Sequence, residues 1–197
     1  MAEPEALKDL SPVLASLSQW LKDQQVSYAI IGGVAIGFVA QPRLTQDVDA
    51  VIWIDLDRVE DFLESGKSFG FVPRVSDPVE FARKARVLLL RHQQTKIGVD
   101  LSCGVLPFER EMLDRSTELN AGSISLKVAT PEDLIILKAV AHRQRDLIDI
   151  DNLLEVHRNL DLNRIRHWVR QFADVLDSPE LNDDLEKLLD SRNRPNK

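Results

Sequence analysis

Two aspartates, Asp47 and Asp49, interrupt the otherwise apolar stretch DVDAVIWID, a short way after the double glycine Gly32-Gly33. The stretch is rich in β-branched and aromatic residues and therefore predicts a β-strand. Because side chains alternate across a strand, both carboxylates would point to one face, about 6.6 Å apart along the chain. Two like charges on one face repel each other, so the pattern favours a site for a cation, most simply a divalent metal.

The double glycine predicts a tight turn in front of a helix over Val34 to Ala40. Such a turn lets backbone N–H groups approach a phosphate, and the positive end of the helix dipole adds to the attraction. Rigid carboxylates beside a phosphate-holding turn are what metal-assisted phosphoryl chemistry requires. The segment IGGVAIG matches neither the P-loop nor the dinucleotide fingerprint, and Val51 excludes an EF-hand loop.

A third aspartate, Asp100, lies in the strand-like run KIGVDLS. Alone, it could be an edge-strand charge that faces water. Together with Asp47 and Asp49, it could complete the metal site or accept a proton from an attacking hydroxyl. The catalytic interpretation requires the three carboxylates to meet at one place. It fails if Asp100 points away from the other two, or if a buried cation of the protein fills that position.

Composition indicates a folded globular chain: of 197 residues, 44% are hydrophobic and 29% are charged. The net charge of -7 argues against a protein that coats nucleic acid non-specifically. Basic residues still cluster at positions 83–86, 142–145 and 164–170, either as solvated surfaces or as local nucleic-acid contacts. The single cysteine, Cys103, excludes an internal disulfide and is expected to be a small buried hydrophobe. No apolar leader or spanning segment is evident, so we expect a cytoplasmic protein without membrane contact.

The element pattern predicts an α+β fold in which strands mixed with helices come first and helices alone follow. The predicted helices of the first part are Pro12–Lys22, Val34–Ala40, Asp57–Phe69 and Pro107–Thr117, and its predicted strands are SYAIIGG, DVDAVIWID, the hairpin ARVLLLRH/KIGVDLS and SISLKVA. From Thr130, the predicted helices are Pro131–His142, Arg145–His157, Leu162–Leu176 and Pro179–Ser191. The TPED sequence supplies an N-cap threonine and a proline at the first helical position. We therefore expect an α/β core over residues 1–129 and a helical region over residues 130–197 that packs on it.

The ordered motifs resemble the nucleotidyltransferase superfamily related to DNA polymerase beta, and more closely its AbiEii/AbiGii toxin type. They are the double glycine, the R-x-T-x-D-x-D segment from Arg43 to Asp49, the later Asp100, TPEDLIILK (130–138) and RDLID (145–149). The resemblance covers roughly Tyr28 to Leu154. One departure is that the usual Gly-Ser is here Gly32-Gly33, so no serine hydroxyl is available for the phosphates.

The resemblance implies a minimal nucleotidyltransferase fold, a mixed sheet flanked by helices and followed by a helical bundle. It implies transfer of a nucleoside monophosphate from an NTP to a hydroxyl, with two Mg²⁺ ions, or Mn²⁺, about 3.5–4 Å apart. Asp47, Asp49 and Asp100 would be the metal ligands and catalytic carboxylates. The implied nucleotide-binding residues are Gly32, Gly33, Arg43, Thr45, Lys138, Asp146 and Asp149.

Several alternatives stay open at the level of sequence. Lys138 could extend along the protein surface instead of reaching phosphates, and Asp146 and Asp149 could form local ion pairs with Arg143 and Arg145. The acceptor could be an RNA such as tRNA, a protein, or a small molecule such as an aminoglycoside. The resemblance to toxins implies a cognate antitoxin as a partner. The competing function is a non-catalytic nucleotide-binding or antitoxin-like module of the same fold.

Overall fold

The computed structural model describes residues 9–41, 45–122 and 124–192. The chain divides into two compact units: the first ends at Ala129, and the second begins at Thr130 and also includes residues 39–41. The first unit mixes strands with helices, and the described part of the second is helical. The predicted α+β class is therefore confirmed.

A mixed β-sheet forms the centre of the first unit. Its seven strands in the described ranges are β1 (Ser27–Ile31), β2 (Asp47–Trp53), β3 (Phe71–Pro73), β4 (Val87–His92), β5 (Gly98–Cys103), β6 (Thr117–Ala121) and β7 (Ile124–Val128). Their order across the sheet is β3-β4-β5-β2-β1-β7-β6. Strand β2 pairs in parallel with β5 and antiparallel with β1, so it has a partner on each side. This central position holds the DVDAVIWID segment rigidly.

The helices of the first unit are α1 (Ser11–Asp23), α2 (Gly32–Val39, whose last residue counts with the second unit), α3 (Val59–Gly66), α4 (Pro78–Ala85) and α5 (Pro107–Arg115). The hydrophobic face of α1 is buried, and its Trp20 ring stacks on Phe62 and Phe71 with centroid distances of 4.2 and 5.2 Å. One face of the central strands is part of this core. Its members in β2 are Val48, Ala50 and Ile52, all fully buried. Cys103, on β5, is buried as expected.

Three elements of the first unit were not predicted. The short strands β3 and β6 and the helix α4 fall in segments without a long hydrophobic period. The strand predicted from Ala85 begins instead at Val87, because Ala85 ends α4 and Arg86 turns the chain with a positive φ of 55°. Likewise, Gly32 and Gly33 form the first turn of α2 rather than the end of the preceding strand.

The second unit contains four helices in its described part: α6 (Pro131–Ala141), α7 (Gln144–Val156), α8 (Leu162–Leu176) and α9 (Glu180–Arg192). As predicted, Thr130 caps α6, since its hydroxyl oxygen accepts a hydrogen bond from the Asp133 N–H at 3.3 Å. Within the described ranges, no helix is both long and apolar enough to cross a membrane.

Candidate active site

Asp49 and Asp100 lie side by side at the same level of two neighbouring parallel strands, β2 and β5. Residues that are paired in register across a sheet point to the same face, so both carboxylates project from one side of the sheet. Asp47 is two residues earlier on β2 and shares this face, opposite Gly98 of β5. The sheet thus brings the three predicted aspartates to one face, although 51 residues separate Asp49 from Asp100 in the sequence.

Gly32 brings the start of α2 directly against Asp49. A Cβ at Gly32 would lie 2.3 Å from Asp49 Oδ2 and 3.1 Å from Asp49 Cβ, so any side chain here would force the Asp49 carboxylate to move. Gly32 also has a positive φ of 64°, which glycine adopts at little cost. Strand β1 runs antiparallel to β2 with Ile31 opposite Asp49, and this pairing explains the contact. Both the conformation and the close approach therefore require glycine at this position.

Gly98 opens a second space, between Asp47 and a cation of the protein. A Cβ at Gly98 would lie 2.5 Å from Asp47 Oδ1 and 3.6 Å from Arg74 Nη1. Arg74 follows β3, and its Nη2 forms an ion pair with Asp100 Oδ1. The guanidinium group therefore lies over Gly98, close to two of the three carboxylates. Sequence reasoning missed Arg74, because 26 residues separate it from Asp100 and only the β3-β4-β5 pairing brings them together.

Arg74 is not a buried cation. Its side chain is 30% exposed and that of Asp100 is 34% exposed, so water reaches both groups. The guanidinium supplies a positive charge next to Asp100, so a metal ion at Asp100 would have to displace this ion pair. In the described part of the chain, no three His, Cys, Asp or Glu side chains are gathered around a single metal position. The aspartates share a face of the sheet, but Asp100 is directed to Arg74.

The donor set fits magnesium, which prefers carboxylate oxygens and completes its shell with water and substrate phosphate. Asp47, Asp49 and Asp100 would supply hard oxygen ligands from neighbouring strands, and Gly32 and Gly98 place no side chain of their own beside them. The pKa of Asp100 is raised above its ordinary value, mainly because of burial. The charge and hydrogen bond of Arg74 lower this pKa, and the negative charge of Asp47 raises it. The effect of Asp47 on this pKa indicates that the two carboxylates interact electrostatically.

Two further predicted residues of the first unit, Gly33 and Thr45, lie next to these elements in the chain. Gly33 is buried in the first turn of α2. Thr45 is half-buried, and its hydroxyl donates a hydrogen bond to the Asp47 carbonyl at 3.2 Å, so it supports the start of β2. Arg43 lies outside the described residues.

Lys138, Asp146 and Asp149 form a buried ion cluster within the second unit. The Lys138 Nζ lies 2.8 Å from Asp146 Oδ1 and 2.8 Å from Asp149 Oδ2, and Lys138 is only 6% exposed. The alternative in which Lys138 extends along the surface is therefore wrong. Arg143 adds a 2.6 Å ion pair from Nε to Asp146 Oδ2, so the local ion pairs expected for Asp146 are present. Burial raises the pKa of Asp146, but the hydrogen bonds and charges of Arg143 and Lys138 outweigh it, and the net pKa is lowered.

A model of the family described as nucleotidyl transferase AbiEii toxin, type IV toxin–antitoxin system, matches residues 14–196. The chain belongs to this AbiEii family. The resemblance inferred from the motifs is thereby confirmed. A comparison with curated proteins finds no match.

Solved structures of nucleotidyltransferases share the fold of this AbiEii protein. An antigenic nucleotidyltransferase-like protein from Paracoccidioides brasiliensis is 20% identical, with a TM-score of 0.56 over 90% of this chain and 92% of that one. The lincosamide antibiotic adenylyltransferase LnuA, with lincomycin bound, is 15% identical, with a TM-score of 0.52 over 80% and 100%. The antibiotic-resistance factor ANT(2'')-Ia is 10% identical, with a TM-score of 0.60 over 87% and 94%. At these identities the likeness concerns the fold alone.

Family membership assigns a nucleotidyltransferase type of activity to this AbiEii protein and places it in a toxin–antitoxin family. This type of activity is consistent with an NTP as the substrate. The family assignment does not give the relative positions of the site residues. The structure does: the three aspartates lie on one face of the sheet, with Gly32 and Arg74 beside them.

Proposed function

We propose that this AbiEii protein transfers a nucleoside monophosphate from an NTP to an acceptor hydroxyl in a magnesium-dependent reaction. The observation that carries the proposal is the placement of Asp49 and Asp100 at one level of adjacent parallel strands, with Asp47 beside them and Gly32 against Asp49. A structural protein gains nothing from three carboxylates on one face, because their mutual repulsion costs free energy.

Asp47, Asp49 and Asp100 would hold the magnesium ions. Bound there, Mg²⁺ would neutralise charge on the phosphates and lower the pKa of the attacking hydroxyl. Manganese would serve the same ligands, since carboxylate oxygens suit it as well.

The chain itself positions the reactants. The backbone of Gly32 and Gly33, at the start of α2, would hold the phosphates through N–H groups. Arg43 and Thr45 are further candidates from the family motifs. Lys138, which the resemblance also implies, is buried and paired with Asp146 and Asp149, so it would hold a phosphate only after these ion pairs open.

Asp100 would orient the acceptor hydroxyl and take its proton. A bond forms between the acceptor oxygen and the α-phosphorus, and the bond from that phosphorus to the pyrophosphate oxygen breaks. Pyrophosphate leaves with the electron pair, and the proton passes from Asp100 to solvent.

The acceptor we favour is RNA, with tRNA as the first candidate, and the physiological role that follows is that of a toxin restrained by an antitoxin. To test this, the purified protein is incubated with Mg²⁺ and each of four α-labelled NTPs, together with total tRNA or cell protein. Label in RNA supports the proposal. Label in protein alone would mean that the acceptor is a protein and not RNA.

An Asp49→Asn variant should give no label in either polymer. If the wild type labels neither RNA nor protein with any NTP, transfer to a macromolecule is refuted. Lincosamide and aminoglycoside acceptors can then be tried in the same assay.

A further inference from the structure

The three basic clusters of the sequence differ in whether the protein neutralises them. In the cluster at 164–170, Arg164 is paired with the buried Asp133 at 2.8 Å. Arg166 makes two hydrogen bonds to Glu186, of 2.7 and 2.9 Å, the bidentate geometry in which guanidinium binds carboxylate most strongly. These two arginines are used to connect helices of the second unit and are not available for a phosphate.

The cluster at 142–145 is also largely used internally. His142 contacts Asp184 at 3.0 Å, and Arg143 is paired with Asp146. Arg145 is exposed and forms no ion pair within the described ranges. One isolated exposed arginine does not make a binding surface.

The third cluster, at 83–86, is exposed and belongs to a longer basic segment, from Arg74 to Lys96, that has the opposite character. It carries six basic and two acidic residues, a net charge of +4 in a chain whose net charge is -7. Lys84 is paired with Glu80 at 3.0 Å, and Arg74 with Asp100. The remaining exposed cations include Arg91 and Lys96, which form no ion pair with any carboxylate in the described part of the chain.

Strand pairing places these free cations next to the aspartates. Arg91 on β4 lies opposite Gly98 of β5, and Asp47 lies on the other side of Gly98. Arg91 therefore projects from the same face as the carboxylates. Since neighbouring strands are about 4.8 Å apart, the row from Arg91 through Gly98 to Asp47 spans roughly 10 Å.

Lys96 continues this basic region at the end of the sheet. It lies in the turn between β4 and β5, two residues before Gly98, with a φ of 62°. The face thus changes from basic on the β3 and β4 side to acidic on the β5 and β2 side. A polyanion on the basic side could extend one end towards Asp100, while the acidic side repels the rest of it.

We propose that Arg91 and Lys96 form the surface on which the phosphate backbone of a single-stranded RNA end is held while its terminal hydroxyl reaches Asp100. This inference rests on the proposed function, because it takes the acceptor to be the terminal hydroxyl of an RNA. The contacts are to phosphates and are therefore independent of base sequence.

The test measures binding and not transfer. A short fluorescein-labelled oligouridine is titrated with the full-length protein at several salt concentrations, using the wild type, the double variant Arg91→Ala/Lys96→Ala, and a control. The control, Arg58→Ala/Arg145→Ala, removes the same charge from two exposed positions elsewhere. The salt slope should fall by about 0.7 for each lost phosphate contact, and binding should weaken accordingly.

The inference is supported if the Arg91/Lys96 variant loses affinity and salt slope while the control variant keeps both. Equal losses in the two variants, or no RNA binding by the wild type, would overturn it. The proposed function is read separately, from magnesium-dependent incorporation of label from an α-labelled NTP by the wild type and by Asp49→Asn. Transfer can thus be upheld while this surface fails, and the reverse can also occur.

Discussion

Among single residues, the decisive feature of the site is how closely the backbone approaches the carboxylates. Gly32 and Asp49 illustrate this, since a methyl group on Gly32 would overlap the carboxylate. Arg74 adds a competing cation whose bond to Asp100 has to open before a metal can take both oxygens. Two predictions follow from these two contacts.

Gly32→Ala should abolish transfer and lower stability, because the added Cβ displaces Asp49. Gly122→Ala is a matched control: its φ of 61° is nearly the same as the 64° of Gly32, but nothing lies within 4 Å of its Cβ position. The left-handed conformation alone costs a non-glycine residue about 1–2 kcal/mol. The control should therefore lose about this much in urea unfolding and keep its transfer activity. Equal activities of the two variants would contradict the assigned contact.

Arg74→Gln should strengthen metal binding, since the guanidinium group no longer competes for Asp100. The expected result is that a several-fold lower Mn²⁺ concentration saturates the protein in calorimetry, with Arg58→Gln unchanged. If Arg74 acted only by holding Asp100 in place, the same substitution would weaken Mn²⁺ binding. Weaker Mn²⁺ binding by Arg74→Gln would refute the competition.

At the scale of elements, alternating and helical hydrophobic patterns were sufficient to predict β2, the β4–β5 hairpin and the helices from Thr130 onward. The missed helix α4 did carry a sequence signal, because Asp77 caps it and Pro78 occupies its first turn, as in the TPED helix. The missed strand β3 has only three residues and ends in Pro73, which leaves no period to detect. Arg74 could not be placed from sequence, since its role depends on strand order and not on spacing.

The ion cluster between α6 and α7 yields a prediction about stability. Asp146→Asn leaves the buried Lys138 with Asp149 as its one carboxylate partner, so the loss should lie below the roughly 3–5 kcal/mol of a buried charge left without any partner. Urea unfolding should report this loss, whereas Asp151→Asn, an exposed position on the same helix, should change little. A loss no larger than that of Asp151→Asn would mean that the cluster contributes nothing.

The pH dependence of this contribution has a definite sign. The folded-state pKa of Asp146 lies below its ordinary value of 3.8, so the folded protein favours the charged form. The contribution is then present above pH 3.8 and is lost as the pH falls through the folded-state pKa.

At the scale of the whole molecule, an acidic protein has to attract a polyanionic acceptor, and the uneven distribution of charge resolves this conflict. The overall charge of -7 repels nucleic acid, while the segment from Arg74 to Lys96 carries +4. The charge total alone gave no indication of this. Sequence also located three basic clusters, but Arg91 and Lys96 lie outside them, and only the pairing of β4 with β5 places Arg91 on the face of the aspartates.

The proposed role as a toxin predicts an effect on living cells. Expression of the wild type in a bacterial host should arrest growth, because modified RNA ends stop translation, whereas Asp49→Asn at the same protein level should not. Protein levels are compared by immunoblot. Normal growth with both proteins at matched levels would contradict a toxin role for this chain in that host.

The most direct measurement of catalysis at these aspartates is metal-dependent incorporation of label from an α-labelled NTP into RNA, compared between the wild type and Asp47→Asn. Asp57→Asn, an exposed aspartate beyond the other end of β2, is the control. Metal stabilisation of the transition state is worth several kcal/mol, so Asp47→Asn should lose at least about 100-fold in rate while Asp57→Asn retains it. Transfer by Asp47→Asn at the rate of the wild type, with the same dependence on Mg²⁺, would contradict the claim.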